Sequence, residues 1–312
     1  MKKSTLGNGL LLLTAFIWGT AFVAQRVGMD SIEPITFNAA RMALAAIAVG
    51  AVAFILGRKN SAAEQVRTPE KEKKYRKYTI TGGILCGIFL SIASILQQMG
   101  IVYTTAGKAG FITAMYMLLV PSIGFIAFKR KNTWLVWLAV LLGVIGMYFL
   151  CITEKFTLSY GDTLVCGCAL FFSGHILCCD YFAPRGNAIL ISAIQFAAAT
   201  VVSSVVALIT EAPSMEKLIS AAVPILYCGI MSGGLGYTLQ IVGQKYTDPT
   251  IASLLMSMES VFAVIAGVII LNEKMTGREV IGCIVMFTAI ILVQIPLPQK
   301  RGGSDICHSE EI

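Results

Sequence analysis

Charged side chains are scarce in this chain. Only 13% of its 312 residues are Asp, Glu, Lys or Arg, whereas an ordinary soluble domain has roughly 25%. Apolar residues make up 56% of the chain, and this composition excludes a water-soluble globular protein. Ten helices of about 20 residues each would use about 200 residues. The short pieces that remain leave no room for a folded domain outside the membrane.

Sequence motifs of enzymes and ATP-driven pumps are also missing. The chain has no nucleophile elbow, no G-x-x-x-x-G-K-[ST] loop and no C-x-x-C pair, and its two histidines lie far apart. Eight of the nine cysteines lie in predicted helices and Cys307 lies in the tail, so we interpret them as small residues at helix contacts. We therefore expect no catalytic residues, no cofactor and no metal site.

Ten apolar runs, separated by short polar breaks, are each long enough to cross a bilayer. The runs are apolar on all sides, so their length rather than their periodicity identifies them. Strands of a membrane barrel would instead be short and alternating. We predict an all-α integral membrane protein with ten transmembrane helices. These helices cover residues 10–27, 35–56, 78–102, 109–128, 134–152, 163–182, 188–209, 221–243, 251–271 and 280–295.

Basic residues are unequally divided between the loops. If the N-terminus is cytoplasmic and the helices alternate, 17 Lys and Arg lie inside and 6 outside, with Arg41 within a span. This asymmetry predicts a multi-pass protein of the cell membrane with both termini in the cytoplasm. The inside loop 58–77 holds eight basic residues, which attract anionic lipid. The net charge of +7 therefore indicates the lipid bilayer as a partner, and not nucleic acid.

The two halves of the chain resemble each other. Residues 13–26 match residues 167–180 at an offset of 154. After the basic loop 58–77 the offset falls to 143, which places Gln97 opposite Gln240. The order of the matches is the same over five predicted helices per half, so the sequence indicates an internal repeat.

An odd number of helices per repeat has a consequence for topology. The second copy enters the membrane from the opposite side, so the two copies form an inverted pair. We assign residues 9–152 to the first repeat, 162–296 to the second and 297–312 to a cytoplasmic tail. Such a pair can exchange shapes and open a central site to each side in turn. A duplication retained only for packing is the alternative.

Several short segments share a pattern with a known family. They are Ala109–Tyr116 with Val120-Pro121, Trp18-Gly19, Arg41, Ser257–Phe262, Asn272–Thr276 and Ile281-Gly282. This pattern resembles the EamA-type drug/metabolite transporter superfamily, over about residues 9 to 296. The resemblance implies a ten-helix carrier with two five-helix repeats and a central substrate cavity. Ser260 stands where that family commonly has a proline.

Two ionisable residues lie within predicted spans, where a charge costs at least about 2.5 to 3.5 kcal/mol. Arg41 is near the start of the second helix and Glu259 within the ninth. If both face an aqueous cavity, Arg41 attracts an anionic group of a substrate, and Glu259 attracts a cationic group or carries a proton. Alternatively, each pairs with a neighbouring helix or extends to the membrane surface.

Uncharged polar and aromatic residues accompany these two charges in the predicted spans. Because polar groups are costly against lipid, we expect them to face inward and to line a pocket. The predicted substrate-binding residues are Trp18, Asn38, Arg41, Gln97, Thr113, Tyr116, His175, Gln195, Tyr237, Gln240, Ser257 and Glu259. We place hinges at Pro121 and near Gly233.

These observations favour a secondary active transporter that moves a small metabolite, amino acid-like or drug-like, by alternating access. A proton gradient is one candidate driving force, with Glu259 as the coupling residue. The alternatives are a non-transporting membrane sensor or partner protein and a membrane enzyme that uses Glu259 with His175. The expected partners are a small-molecule substrate and lipid, and the sequence does not define the oligomeric state or the direction of transport.

Overall fold

The computed structural model describes residues 2–60, 68–104, 106–130, 132–151, 159–271 and 276–294. These residues form helices joined by short turns, with no strand among them. The predicted tail 297–312, with Cys307, and the segment 272–275 lie outside the described residues. The prediction of an all-helical protein is confirmed for the part of the chain that is described.

The helices follow one another with short connections. They are α1 (Lys2–Gly28), α2 (Pro34–Asn60), α3 (Pro69–Ile101), α4 (Ala106–Ala114), α5 (Tyr116–Phe128), α6 (Trp134–Cys151), α7 (Tyr160–Phe182), α8 (Ala188–Thr210), α9 (Met215–Ser220), α10 (Ala222–Leu226), a π-helical segment (Tyr227–Tyr237), α11 (Thr238–Gln244), α12 (Pro249–Met256), α13 (Glu259–Leu271) and α14 (Gly277–Gln294).

Eight helical stretches among the described residues are long and apolar enough to cross a membrane. They are Lys3–Gly28, Pro34–Ile55, Pro69–Ile101, Ala109–Phe128, Tyr160–Phe182, Ala188–Thr210, Ala222–Gln244 and Pro249–Ile270. They correspond to eight of the ten predicted spans. The other two predictions fall on α6 and α14, whose apolar stretches, Trp134–Gly146 and Val280–Ala289, are shorter.

The helices pack around a central region to which both halves of the chain contribute. α2 lies against α8, α6 against α14, and α3 against α7 and α8, while α1 contacts α11, the π-helical segment and α13. Gly19 permits the last of these contacts, because a Cβ atom there would lie 2.7 Å from the carbonyl oxygen of Glu259. Small residues allow such close approach between membrane helices.

Two of the spans are interrupted near their middle. Between α4 and α5 the Met115 N–H donates to Ile112 O at 3.2 Å, and between α12 and α13 the Met258 N–H donates to Leu255 O at 3.3 Å. Both bonds have the three-residue spacing of a 3₁₀ turn, which in mid-helix often marks a hinge. Met115 and Met258 are separated by 143 residues, the offset of the repeat. Pro121, the predicted hinge, lies six residues after the first interruption, inside α5.

The eighth predicted span has a different irregularity. Its central eleven residues, Tyr227–Tyr237, are π-helical, and they include the predicted hinge residue Gly233. A Cβ atom at Gly233 would lie 2.8 Å from Ala45 Cβ, and one at Gly229 would lie 3.0 Å from Arg41 O. These glycines therefore let the π-helical segment approach α2 closely. Hinge motion at Gly233 stays a prediction.

Candidate functional site

A small polar cavity lies in the middle of the helix bundle. Its volume is about 30 Å³, which has room for water but is far smaller than the roughly 300–1,000 Å³ of a pocket for a drug-sized ligand. Side chains from both halves of the chain line it: Trp18, Phe22, Gln25, Arg41, Gln97, Thr113, Tyr116, Phe172, Ile176, Ser232, Tyr237, Gln240 and Glu259. A site this narrow accepts a metabolite only if the surrounding helices or side chains move apart.

Arg41 is held in place by uncharged groups. The residue is 6% exposed. Its Nε donates to Asn38 Oδ1 and its Nη1 to Gln25 Oε1, both at 2.9 Å. Asn38 is itself fixed, because its amide donates to Ser94 Oγ at 3.1 Å and to Ser203 Oγ at 2.9 Å. The network orients the guanidinium group without neutralising it, which leaves its positive charge to act on other groups in the cavity.

Glu259 accepts a hydrogen bond from an aromatic side chain. The Tyr116 hydroxyl donates to Glu259 Oε1 at 3.0 Å, and the two residues are 2% and 3% exposed. Each is the first residue after an interrupted helix, Tyr116 at the start of α5 and Glu259 at the start of α13. The two positions are 143 residues apart. Equivalent positions of the two halves therefore meet at the cavity, with a phenol on one side and a carboxyl group on the other.

Aromatic rings form much of the remaining wall. The Trp18 and Tyr237 rings lie 4.6 Å apart between centroids, at an interplanar angle of 49°. The Trp18 Nε1–H donates to the carbonyl oxygen of Ser232, in the π-helical segment, at 3.3 Å. Rings with polar edges, beside Gln97 and Gln240, provide apolar contact and a few fixed hydrogen-bonding groups, which is typical of a small-molecule site.

Eight of the lining residues occupy equivalent positions of the two halves. At the offset of 154 the pairs are Trp18 with Phe172 and Phe22 with Ile176, and at the offset of 143 they are Gln97 with Gln240 and Tyr116 with Glu259. The same positions of each half thus face the same space.

Most of the predicted binding residues line the cavity. Eight of the twelve do so: Trp18, Arg41, Gln97, Thr113, Tyr116, Tyr237, Gln240 and Glu259. The other four are buried behind the wall. Asn38 supports Arg41, His175 Nε2 and Gln195 Oε1 bond to each other at 3.0 Å, and the Ser257 hydroxyl donates to Leu254 O in its own helix at 2.7 Å.

Five lining residues were not predicted from the sequence, namely Phe22, Gln25, Phe172, Ile176 and Ser232. Helical spacing could have identified the first two, because they follow Trp18 by four and seven residues and so share its helix face. Ser232 accepts a hydrogen bond through its backbone carbonyl, and side-chain type carries no signal for such a role.

A second, much larger cavity of about 1410 Å³ opens at one end of the bundle. Basic side chains outnumber acidic ones along its wall. We call this end of the bundle the basic face. The residues that line its cavity include Glu70, Lys71, Lys74, Arg130, Asp180, Arg185, Gln244, Lys245 and Asp248. Gln244 also donates to Ile176 O at 3.1 Å, and Ile176 lines the central cavity. One hydrogen bond therefore links a residue that lines one cavity to a residue that lines the other.

We call the other end of the bundle the opposite face. Polar contacts hold its helix ends together. Lys217, in α9, forms an ion pair with Glu33, just before α2. The hydrogen bond from Lys217 lowers the pKa of the Glu33 carboxyl from its ordinary value. Glu211 accepts the Ile35 N–H at 2.9 Å and the Thr36 N–H at 2.7 Å. These contacts connect the start of α2 with the segment that leads into α10.

Comparison with known proteins places this arrangement in context. The model of the EamA-like transporter family matches residues 5–152 and 159–295. An uncharacterized transporter of Archaeoglobus fulgidus is 28% identical over 285 residues, which cover 91% of this chain and 84% of that protein. The uncharacterized transporter YoaV of Bacillus subtilis is 23% identical over 306 residues, 96% of this chain and 100% of that protein.

A solved structure has the same fold. A chain titled "Crystal structure of protein" superposes with a TM-score of 0.72 at 16% sequence identity, covering 91% of this chain and 95% of that chain. At this identity the similarity concerns the fold alone. Since the family model covers both halves of the sequence, the chain belongs to the EamA-like transporter family.

Proposed function

We propose that this protein is a secondary active transporter of the cell membrane, and that its substrate is a small metabolite with both an anionic and a cationic group. An amino acid is the simplest solute of this kind, and an amphipathic drug-like cation is a variant that uses Glu259 and the aromatic wall. The site is the central cavity around Arg41 and Glu259.

One observation carries the proposal. Arg41 and Glu259 have opposite charges when ionised, line one cavity, and have uncharged hydrogen-bond partners. Buried ionisable groups in a membrane are costly, so they mark functional positions by default. A carboxylate of the substrate would bind Arg41, and an amine would bind Glu259. The Trp18 and Tyr237 rings would contact the apolar part of the same solute.

Alternating access is the mechanism that we infer for this site. The wide cavity at the basic face supports a state that is open on that side, while the contacts of Lys217 and Glu211 hold the opposite face together. We propose ten transmembrane helices in two inverted repeats, 9–152 and 162–296. The paired lining positions and the matching interruptions at Met115 and Met258 support this arrangement. Exchange of conformation between the two repeats would close one face and open the other.

The excess of basic residues at the basic face predicts the orientation of the protein in the membrane. By the positive-inside rule, the basic face and both termini are cytoplasmic. Accessibility labelling of tags at the two termini tests the topology. Both tags should be protected in right-side-out vesicles and exposed in inverted ones. Tags on different sides would rule out two inverted five-helix repeats.

Flux into vesicles tests the transport function itself. The full chain is reconstituted and offered a panel of radiolabelled amino acids, amino-acid analogues and cationic drugs. Saturable uptake of at least one compound is expected, and Arg41→Ala should reduce it at least about tenfold, equivalent to 1.4 kcal/mol. Arg26→Ala is the matched control, because Arg26 forms an exposed pair with Asp30 at the end of α1. Equal loss in both variants, or normal flux in Arg41→Ala, contradicts the site assignment.

Coupling to protons is tested by the same vesicles under an imposed pH gradient. We propose that the Glu259 carboxyl releases its proton when a cationic group of the substrate arrives. Accumulation by the unaltered protein should therefore respond to the gradient, and Glu259→Gln should abolish the response. Asp30→Asn, at an exposed position, should retain it. Accumulation by the unaltered protein that is indifferent to the gradient contradicts proton coupling.

A further inference from the structure

A second group of chemically active side chains lies beside the central cavity. Cys86 on α3 and His175 and Cys179 on α7 are fully buried. The Cys86 and Cys179 sulfur atoms are 3.8 Å apart, and Cys179 Sγ is 3.6 Å from Nε2 and 3.9 Å from Nδ1 of His175. One ligand atom from each of the three residues lies within 4.8 Å of the other two. The transport mechanism above uses none of these three side chains.

The distances resemble the edges of a metal coordination sphere. With zinc–sulfur bonds of about 2.3 Å and zinc–nitrogen bonds of about 2.0 Å, tetrahedral geometry separates two sulfurs by roughly 3.8 Å and a sulfur from a nitrogen by roughly 3.5 Å. The separations of Cys179 Sγ from Cys86 Sγ and from the imidazole nitrogens agree with these edges to within a few tenths of an ångström. The Cys86 sulfur lies within 4.8 Å of an imidazole nitrogen. A metal ion could therefore be bound with little movement of α3 or α7.

The surroundings of His175 also suit a ligand. Its Nε2–H can donate to Gln195 Oε1 at 3.0 Å, which leaves Nδ1 with a lone pair for a metal. Metal-binding histidines almost always donate their other N–H to an oxygen in this way. The buried Gln195 Nε2 has no acceptor among the described residues, and a water molecule as the fourth ligand would provide one. The Tyr237 ring packs against the imidazole at 5.8 Å.

We propose that Cys86, Cys179 and His175 bind one thiophilic divalent metal ion, of the class of Zn²⁺ and Cd²⁺. Binding displaces the two thiol protons, so that two thiolates neutralise the double positive charge of the ion. This neutral complex suits a position inside the membrane, where a net charge is costly. The proposal departs from our expectation from sequence, which was that the chain has no metal site.

The position of the site gives it a consequence. Asp180, next to Cys179, lines the cavity of the basic face, and Ile176, next to His175, lines the central cavity. A bound ion would cross-link α3 to α7 between these two spaces. It would thereby stabilise the folded protein, because a ligand that binds only the native state adds to the free energy of unfolding.

Cadmium titration of the reduced full-length protein in detergent tests the proposal. The readout is the ultraviolet charge-transfer band of thiolate-bound Cd²⁺, together with the midpoint of thermal unfolding. One equivalent is expected to bind, and Cys86→Ser or Cys179→Ser should weaken this binding at least about tenfold. Cys228→Ser, buried elsewhere, and Cys166→Ser, exposed, are the matched controls and should bind as the unaltered protein does.

Two further outcomes decide the assignment. His175→Ala should also weaken binding at least about tenfold, and unchanged affinity in this variant would overturn the three-ligand site. Should a serine variant fail to fold, the chain in which the other seven cysteines are replaced by serine keeps Cys86 and Cys179 and should still bind one equivalent. Failure of the reduced, folded, unaltered protein to bind Cd²⁺ overturns the proposal in either case.

Discussion

The two halves of the chain place different chemistry at equivalent positions. In the first half, Arg41 donates to Gln25 at the edge of the cavity. The offset of 154 puts Gln195 and Cys179 at these positions in the second half, where Gln195 pairs with His175 behind the cavity wall. At these positions one half thus holds a cation bonded to an amide, and the other half an amide and a thiol. A repeated backbone plan can keep the direction of side chains while their chemistry diverges.

Exchanging these equivalent side chains should have the largest effects. Gln195→Arg places a second guanidinium group in a site whose neighbours suit a neutral amide, and we expect a loss of about 3–5 kcal/mol in the free energy of unfolding. Arg41→Gln makes both halves carry the same residue. It should remain folded, because Gln can still bond to Gln25 or Asn38, but saturable flux should fall at least about tenfold.

Unfolding in detergent and vesicle flux measure the two results separately. If Gln195→Arg is as stable as the unaltered protein, the two equivalent positions do not differ in the side chain that they accept. If Arg41→Gln transports normally, the positive charge of Arg41 is not required for transport.

Packing differs between the halves at another pair of equivalent positions. Gly19 on α1 corresponds to Ser173 on α7. The second half therefore has space for a side chain at this position, and the Ser173 hydroxyl donates a hydrogen bond to Ala169 O. Gly19→Ala should reduce the free energy of unfolding by about 1–3 kcal/mol, because its Cβ would overlap the backbone of α13. Gly9→Ala is the control in the same helix, since no atom of the described residues lies within 4 Å of a Cβ there. Thermal unfolding should show Gly9→Ala to be neutral or slightly stabilising. Equal effects at both positions would contradict the close contact.

The smallest expected difference concerns the starts of α2 and α8. Glu33 precedes α2 and pairs with Lys217, whereas Asn187, at the equivalent position, caps α8 by accepting the Ile189 and Leu190 N–H groups. Because Lys217 lowers the pKa of Glu33, the pair stabilises the protein above the ordinary glutamate pKa. The contribution is lost as the pH falls through the lowered value.

Substitution at the two positions should therefore respond differently to pH. Both side chains of the ion pair are partly exposed, so Glu33→Gln should cost less than about 1 kcal/mol near neutral pH and nothing in acid. Asn187→Ala should cost about 1 kcal/mol at every pH, because an amide cap does not titrate in this range. Unfolding curves at several pH values measure both, and a pH-independent effect of Glu33→Gln would refute the ion pair.

The sequence was sufficient to predict an all-helical membrane protein and eight of the residues that line the central cavity, for a simple physical reason. Length and apolar content decide whether a segment crosses a membrane, and a polar residue such as Arg41 or Glu259 must then face inward. Rotation about each helix axis was harder to predict, since these helices are apolar on almost all sides. For this reason the sequence did not reveal that Asn38 and His175 lie behind the cavity wall, nor that Gln25 lines the cavity.

The features that could not be predicted from the sequence depend on contacts between segments that are distant in the chain. The four-residue spacing of His175 and Cys179 was visible, but only the packing of α3 on α7 brings Cys86 to them. The interruption at Met258 arises without the proline that the family commonly has at position 260. Such backbone changes depend on how neighbouring helices pack, and residue type alone does not encode them.

The π-helical segment Tyr227–Tyr237 sets the orientation of everything that follows it in its span. A π-helix closes its hydrogen bonds over five residues and an α-helix over four. The equivalent part of the first half, residues 84–94 of α3, is α-helical throughout. If one turn of Tyr227–Tyr237 changed to α-helical bonding, α11 would rotate about its own axis and carry Gln240 and Gln244 with it. A change of hydrogen bonding within this one segment would thus turn two amide side chains, Gln240 at the central cavity and Gln244 at the cavity of the basic face, without unfolding any helix.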